Sequence, residues 1–426
     1  MGLTIAGATE VMKIDYLPPV REQLDNANVL MKRLRKNEED VVGRHAYVPL
    51  HVARNGGVGV RAEQGTLPTA AAQSYKSATF GMTHHYGRIQ ITGQTIKAMR
   101  NDSGAFVRAL DSEMKGIVTD LKRDTQRQLW GDGTGILCQV TSTDGSCTGV
   151  LVDDVRFLEA GMKVDATDSS GASAAGDALT VVAVRPAIKE MEVSSAFTNV
   201  TAGTSVITIT NNWLLEMNGL DASISTANPS HTRGNFGAID RTAAAGAFWQ
   251  CNAVTAAAHR ALELDLMQQA MDESEKRDAD VSLIASDYLQ FRAYANTMLP
   301  DRRFDASMTL DGGYKALDYG GVPVTRDKHC APGKMYFVDE STLQIYHMGD
   351  WDWMDKDGAV LCRVANKDEY EATIYRYMNL GGDRGNANTV LCDLSLTISR
   401  PRVSRSLGGA SPPAGGVNCG RGTKCI

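Results

Sequence analysis

The sequence predicts an α+β protein with a projecting β-arm, on three observations. One stretch, Ser103 to Trp130, has unbroken helical periodicity. Short β-forming runs crowd between about Val150 and Leu220 and return in the C-terminal third. A Gly-, Ala- and Thr-rich region at 44–93 has β-forming ends around a middle too poor in large apolar residues to bury itself.

Taken in order, residues 17–44 form a polar arm in which VLMKRLRKNEED carries mixed charges on a short apolar stripe. YVPLHV and FGMTHHYGRIQITG then flank RNGGVGVRAEQGTLPTAAAQ, which reads as one long β-hairpin. Such an arm loses conformational entropy on ordering unless another surface receives it, so it implies a partner subunit. His84 and His85 are adjacent in a strand, so their side chains point to opposite faces and do not converge on one metal; they read as surface or interface residues.

In the helix, Phe106, Leu110, Met114, Ile117 and Leu121 recur at steps of three and four. Asp102 or Ser103 is the expected cap, Asp111 and Lys115 form an i,i+4 pair, and Gly131-Asp132-Gly133 stops the helix. At 1.5 Å per residue it spans roughly 40 Å, the length of a spine. MKVDAT, ALTVVAV, KEMEVSS and SVITIT follow as strands of a small inserted barrel or sandwich. Helical reading resumes at Ala253 through Leu262, Leu266, Ala270 and Met271, and again from Ser286 to Leu299, closed by Pro300. Strands finish the chain: GGVPVTRD, KMYFVDESTLQIYHMG, WDWMDKDGAVLCRV, YEATIYRYMNL and TVLCDLSLTIS.

Of the 426 residues, 43% are hydrophobic and 22% charged, which supports two or three domains. No run approaches the roughly 20 apolar residues of a membrane helix, and the first residues lack a signal-peptide pattern, so no membrane association and a cytoplasmic origin are expected. The formal charge of -6 argues against a dedicated nucleic-acid binder and is equally compatible with a charge that merely keeps the protein soluble. Eight cysteines, at 138, 147, 251, 330, 362, 392, 419 and 425, include no CxxC pair. Six read as reduced core fillers, while Cys419 and Cys425, in a Gly- and Pro-rich tail, are the candidate tail disulfide.

No chemical site emerges. Asp352, Asp355 and Asp357-Gly358 open like a calcium loop but lack the Glu at position 12, and a hairpin turn at Asp357-Gly358 explains them, with Trp351 and Trp353 on one sheet face. GDGTG at 131–135 follows a helix and lacks the Gly-Lys-Ser/Thr of a phosphate loop. There is no GxSxG elbow. No catalytic residue, cofactor or metal is therefore expected.

Several segments resemble, in order, the major capsid proteins of tailed bacteriophages with the Hong Kong 97-type fold: RQLWGDGTG, NWLLEMNGLDASIST, NFGAIDRTAAAGAFWQCNAV and, above all, YKALDYGGVPVTRDKHCAPGKMYFVDESTLQIYHMGDWDWMDKDGAVLCRV. The resemblance covers about residues 20–400. It implies an N-terminal arm at 1–43 that clasps a neighbour, an extended loop at 44–93, a peripheral domain at 94–149 with the spine helix, an inserted β domain at 150–225, the peripheral domain's second helix at 226–283, an axial domain at 284–385, and a closing strand and tail at 386–426. Candidate intersubunit residues are Tyr47, Arg54, Arg61, Glu63, Lys76 and Tyr86. Lys76 lies in the loop where cross-linked members carry a lysine, but its Asn and carboxylate partners are not identifiable, and no cross-link is expected.

The implied function is structural: hexamers and pentamers form an icosahedral head around double-stranded DNA, in the virion, with no enzyme activity. The implied partners are further copies of the chain, a separate scaffolding protein, a portal protein, a decoration protein and the packaged DNA in non-specific proximity. The alternative is an encapsulin-like shell that encloses cargo protein.

Overall fold

The computed structural model describes residues 29–94, 103–143, 147–168, 178–197, 200–229, 235–298, 307–309, 315–355 and 358–397. The side chains proposed to cap and brace the start of the long helix, Asp102, Ser103 and Asp111, lie outside the described residues, as do Pro300, Asp357, Cys419 and Cys425.

The arm reaches its own subunit at Val29–Arg33, a short helix that buries Leu30 and Met31. Arg35–Asn37 then runs parallel to Leu343–His347, and Arg33 forms an ion pair with Glu340 at 2.5 Å. From Val29 onward, the segment expected to clasp a neighbour is thus anchored at home. Its apolar stripe Leu30, Met31 and Leu34 joins the main core, which offsets the entropy of ordering it.

The region at 44–93 is not one hairpin. His45–Ala53 pairs antiparallel with Ser74–Gly81, and the hairpin ends there. Thr83–Thr92 leaves to pair along its whole length with Glu369–Gly382, the 14-residue central strand of a six-stranded sheet. Strict alternation explains the switch: Thr83, His85, Gly87 and Ile89 are buried while His84, Tyr86, Arg88 and Gln90 are exposed, a pattern that needs a core on one face only.

The long helix occupies Ser103–Trp130, as the periodicity predicts. Met114, Val118, Leu121, Thr125 and Leu129 form its buried face. It crosses the six-stranded sheet at Gly87, where an added Cβ would lie 2.7 Å from Leu121 Cδ1 and 3.1 Å from Ile117 Cδ1. The helix stops where Gly133 takes a positive φ of 86° and Asp132 Oδ1 accepts from the Thr134 amide at 3.0 Å. Gly116 lies on the exposed face, and a Cβ added there would meet nothing within 4 Å. Gly116→Ala should therefore stabilise the free subunit by about 1 kcal/mol in urea titrations, since only the glycine's helix penalty is removed; no gain would show that this turn is not helical in solution.

A closed six-stranded barrel follows, in the order Glu190–Val193, Gly149–Val152, Ile136–Thr143, Ser205–Ile209, Lys163–Asp168, Leu179–Arg185. It begins at Ile136, ahead of the expected boundary at 150. Ile136–Thr143 supplies Leu137, Cys138 and Val140 to the barrel core, and without them the barrel would be open on one side. Helical structure does not resume at Ala253: Asn252–Val254 is a strand parallel to Thr389–Leu391, and the helix is confined to Leu264–Glu275. The apolar side through Leu266, Ala270 and Met271 belongs to that later helix, and sheet pairing with the distant C-terminal strand claims Ala253.

The C-terminal half forms a seven-stranded mixed sheet that includes Leu283–Ser286, Val322–Arg326, Met335–Val338 and Thr389–Leu391. Leu283 and Ala285 face the core shared with the long helix, while Ile284 faces the helices Leu264–Glu275 and Tyr288–Met298. The second of these starts after Asp287, whose carboxylate accepts from the Gln290 amide at 2.7 Å. The sheet is covered on both faces, so its central strands LIAS and MYFV are fully buried and almost wholly apolar, Ser286 being satisfied by the Thr325 carbonyl. Trp351 and Trp353 are both buried in the main core. No helix among the described residues is long and apolar enough to cross a membrane.

Candidate intersubunit surface

Only the base of the hairpin packs on its own subunit. Ala46, Val48 and Leu50 from one strand and Ala78 and Phe80 from the other join Phe236, Ile239, Trp249 and Tyr346 in a separate apolar cluster. Trp249 Nε1 donates to the Phe236 carbonyl at 2.9 Å, and the Phe80 and Phe236 rings meet edge to face at 5.0 Å. Beneath them lies Arg241, fully buried. Its guanidinium donates to the carbonyls of Ala222, Ser223 and Ser225 at 2.8–3.0 Å, and burial lowers its pKa to about 10. Held by carbonyls and by the Phe236 ring 5.0 Å away, this cation ties the two loops under the hairpin together.

Beyond that base the hairpin has little to hold it. No residue from 54 to 73 is buried, and Val58, Val60 and Leu67 are 69%, 95% and 81% exposed. The tip is closed on itself: Asn55 Nδ2 donates to the Ala71 carbonyl at 2.5 Å, and Arg61 donates to the carbonyls of Thr66 and Val60. A preformed loop that displays apolar side chains at its end suits insertion against another surface.

Of the six candidate residues, five share this element and one does not. Tyr47 is 46% exposed on the hairpin strand, Arg54 stands at the neck, and Arg61 and Glu63 lie in the tip. Lys76 is engaged within its own subunit, donating to the Ala245 carbonyl at 2.6 Å with its ammonium 5.4 Å from the Phe248 ring centre. Tyr86 belongs to the six-stranded sheet, where it shares the outer face with His84, Tyr375 and Tyr377; His84 meets Tyr377 at 4.8 Å. His85 is buried against Trp351, so of the two adjacent histidines only His84 is at the surface. This aromatic face went unread in the sequence because it arises from a strand pairing hundreds of residues apart, and the buried role of Arg241 because it depends on how the loop carrying Ala222, Ser223 and Ser225 folds around it.

A cavity of about 960 Å³ lies elsewhere, between the long helix and the barrel. His329 lines it, 7% exposed, stacked on Phe157 with ring centres 5.6 Å apart. Burial lowers its pKa to about 3, helped by the cations of Lys328, Arg127 and Arg156. Its folded pKa lies below its unfolded one, so the unfolded chain takes up a proton that the folded chain refuses, and stability falls as pH drops below about 6.5. Between pH 7 and 5 the protein should lose about 2 kcal/mol more than a His329→Gln variant in urea unfolding; parallel losses would mean that His329 is protonated in the fold.

No protein-family model matches the chain, and no curated protein matches it. Solved structures do. The capsid asymmetric unit of cyanophage A-1(L) is similar at a TM-score of 0.53 and 14% identity, covering 89% of this chain and 96% of that one. The capsid protein of an empty GTA particle is similar at 0.46 and 11% identity, covering 87% and 90%. An encapsulin complex from Synechococcus elongatus follows at 0.43 and 8%, covering 87% and 89%. The first of these likenesses establishes the fold: the α+β architecture is the phage capsid fold of Hong Kong 97 type, spanning nearly the whole chain.

Proposed function

We propose that this chain is the major capsid protein of a tailed bacteriophage, assembling as hexamers and pentamers into the icosahedral head around a double-stranded DNA genome, and that it catalyses nothing. The observation that carries this reading is an apolar-tipped arm with no buried residue between 54 and 73, set on a capsid fold that runs the length of the chain. The tip's apolar area, at about 25 cal/mol per Å², becomes stabilising only against another chain, and repetition around a closed shell multiplies that modest gain. In this reading the hairpin is the extended loop, residues 284–385, which supply most strands of the two-faced sheet, gather around the symmetry axes as the axial domain, and the exposed Tyr86 face meets a neighbour. A separate scaffolding protein, a portal protein and a decoration protein are the assembly partners, and the product is a virion component.

Electron microscopy of particles formed when the chain is co-expressed with its scaffolding protein tests this. Icosahedral shells, or free rings of five and six subunits, are expected; a monodisperse monomer of about 46 kDa under every assembly condition would overturn the reading.

A further inference from the structure

We infer that the cavity between the long helix and the barrel is a binding site for an acidic peptide segment of a partner protein, in which carboxylates alternate with apolar side chains. The inference rests on the cavity alone and is independent of the shell reading.

Five elements converge on this space, the strand Thr83–Thr92 supplying Arg88. The long helix supplies Arg123, the 153–162 loop supplies Arg156 and Phe157, the barrel supplies Lys163 and Ile209, and the loop after Val322–Arg326 supplies Lys328 and His329. The four lining arginines have carboxylate partners: Arg88 pairs with Glu371, Arg123 with Glu159 at 2.6 Å, Arg127 with Glu216 and Asp124, and Arg156 with Asp154. Lys163 and Lys328 are both exposed at the cavity walls, and they are the cations available to an incoming anion. Phe157, Met162 and Ile209 give the same walls an apolar component.

His329 is the feature that asks for an occupant. It is more than nine-tenths buried, it lines the cavity, and neither ring nitrogen has a hydrogen-bond partner. A neutral imidazole presents one donor and one acceptor, and leaving both unmet in a buried site costs free energy. Both nitrogens are closed off behind the cavity wall; a bound segment that opens the wall at the ring edge offers a C=O from one residue and an N–H from another. The stack on Phe157 holds the ring in place, with the Arg156 guanidinium 5.0 Å from the Phe157 ring centre on that aromatic slot.

A compact phosphate dianion fits less well. The cavity, at about 960 Å³, is at the upper end of small-ligand sites. The helix wall facing it carries Asp120 and Asp124 near the C-terminal end of Ser103–Trp130, where the helix dipole is negative. Phosphate sites instead use helix N-termini and rows of backbone amides. Spaced single carboxylates can reach Lys163 and Lys328 while avoiding these acids.

The test is fluorescence anisotropy of the full-length chain with a fluorescein-labelled octapeptide of alternating glutamate and leucine. Binding is expected, weakened at least tenfold by Lys163→Glu with Lys328→Glu, two exposed positions whose reversal leaves the core untouched. His329→Gln should also weaken it, while circular dichroism of all variants stays that of the parent. The inference is overturned by absence of binding, by equal binding of the peptide with lysine in place of glutamate, or by indifference to the double reversal. It is also overturned if inorganic phosphate or a thymidine oligonucleotide displaces the peptide at equal concentration, since the site would then recognise phosphate.

Discussion

Arg127→Met is expected to cost about 3–5 kcal/mol of subunit stability, because it strands the buried carboxylate of Glu216 without its partner. The two side chains are 9% and 5% exposed, and Arg127 grips both Glu216 and Asp124, the latter at 2.7 Å and the former through two nitrogens. Arg127 lies in the last turn of the long helix, where a cation also opposes the helix dipole. Glu216 lies on the chain leaving the barrel, so the pair fixes the barrel's exit to the spine. Beside it, the Met217 amide donates to Gln128 Oε1 at 3.2 Å. The penalty belongs to the unpaired charge more than to the bond, so Arg127→Met combined with Glu216→Leu should recover most of the loss in urea unfolding. If the double variant is as unstable as the single one, the damage comes from lost packing of the arginine stem instead.

This ion pair also marks where sequence reading stops. The long helix was legible because its signal is local: periodicity fixes its face, and Gly131-Asp132-Gly133 fixes its end. Four of the six barrel strands were legible for the same reason, as short β-forming runs between turn residues, while Ile136–Thr143 and Gly149–Val152 were not. What was not legible depended on partners far along the chain. Thr83–Thr92 looks like a hairpin strand until Glu369–Gly382 is present to pair with it. Ala253 looks helical until Thr389–Leu391 lies beside it. The candidate arm surface was visible as a lack of large apolar residues, a compositional fact. Arg241, Arg127 and His329 carry no such mark, since a buried Arg and an exposed one are the same letter, and burial is decided by the strands and loops around them.

Deleting residues 55–72 should abolish shell assembly while leaving the subunit folded. The deletion joins Arg54 to Gln73 as a two-residue turn between Ala53 and Ser74, which already face each other in the ladder. Every residue removed is unburied, and the apolar cluster under the hairpin, from Ala46 to Phe80, keeps all its members. Replacing the new turn by Arg54→Asn and Gln73→Gly would match the twist of the flanking strands more closely. The thermal midpoint should therefore stay within a few degrees of the parent, while sedimentation finds subunits or small rings in place of shells. The asymmetry follows from multiplicity: a tip contact worth only a few kcal/mol per subunit changes nothing in one folded chain, yet it recurs at every copy in a closed lattice, where its loss is summed. Normal shells from the deletion would move the assembly contacts to the Tyr86 face and the outer surface of the barrel, and the tip would then need another role. Unfolded subunits would instead mean that the tip stabilises the hairpin base, against the exposure seen at Val58, Val60 and Leu67.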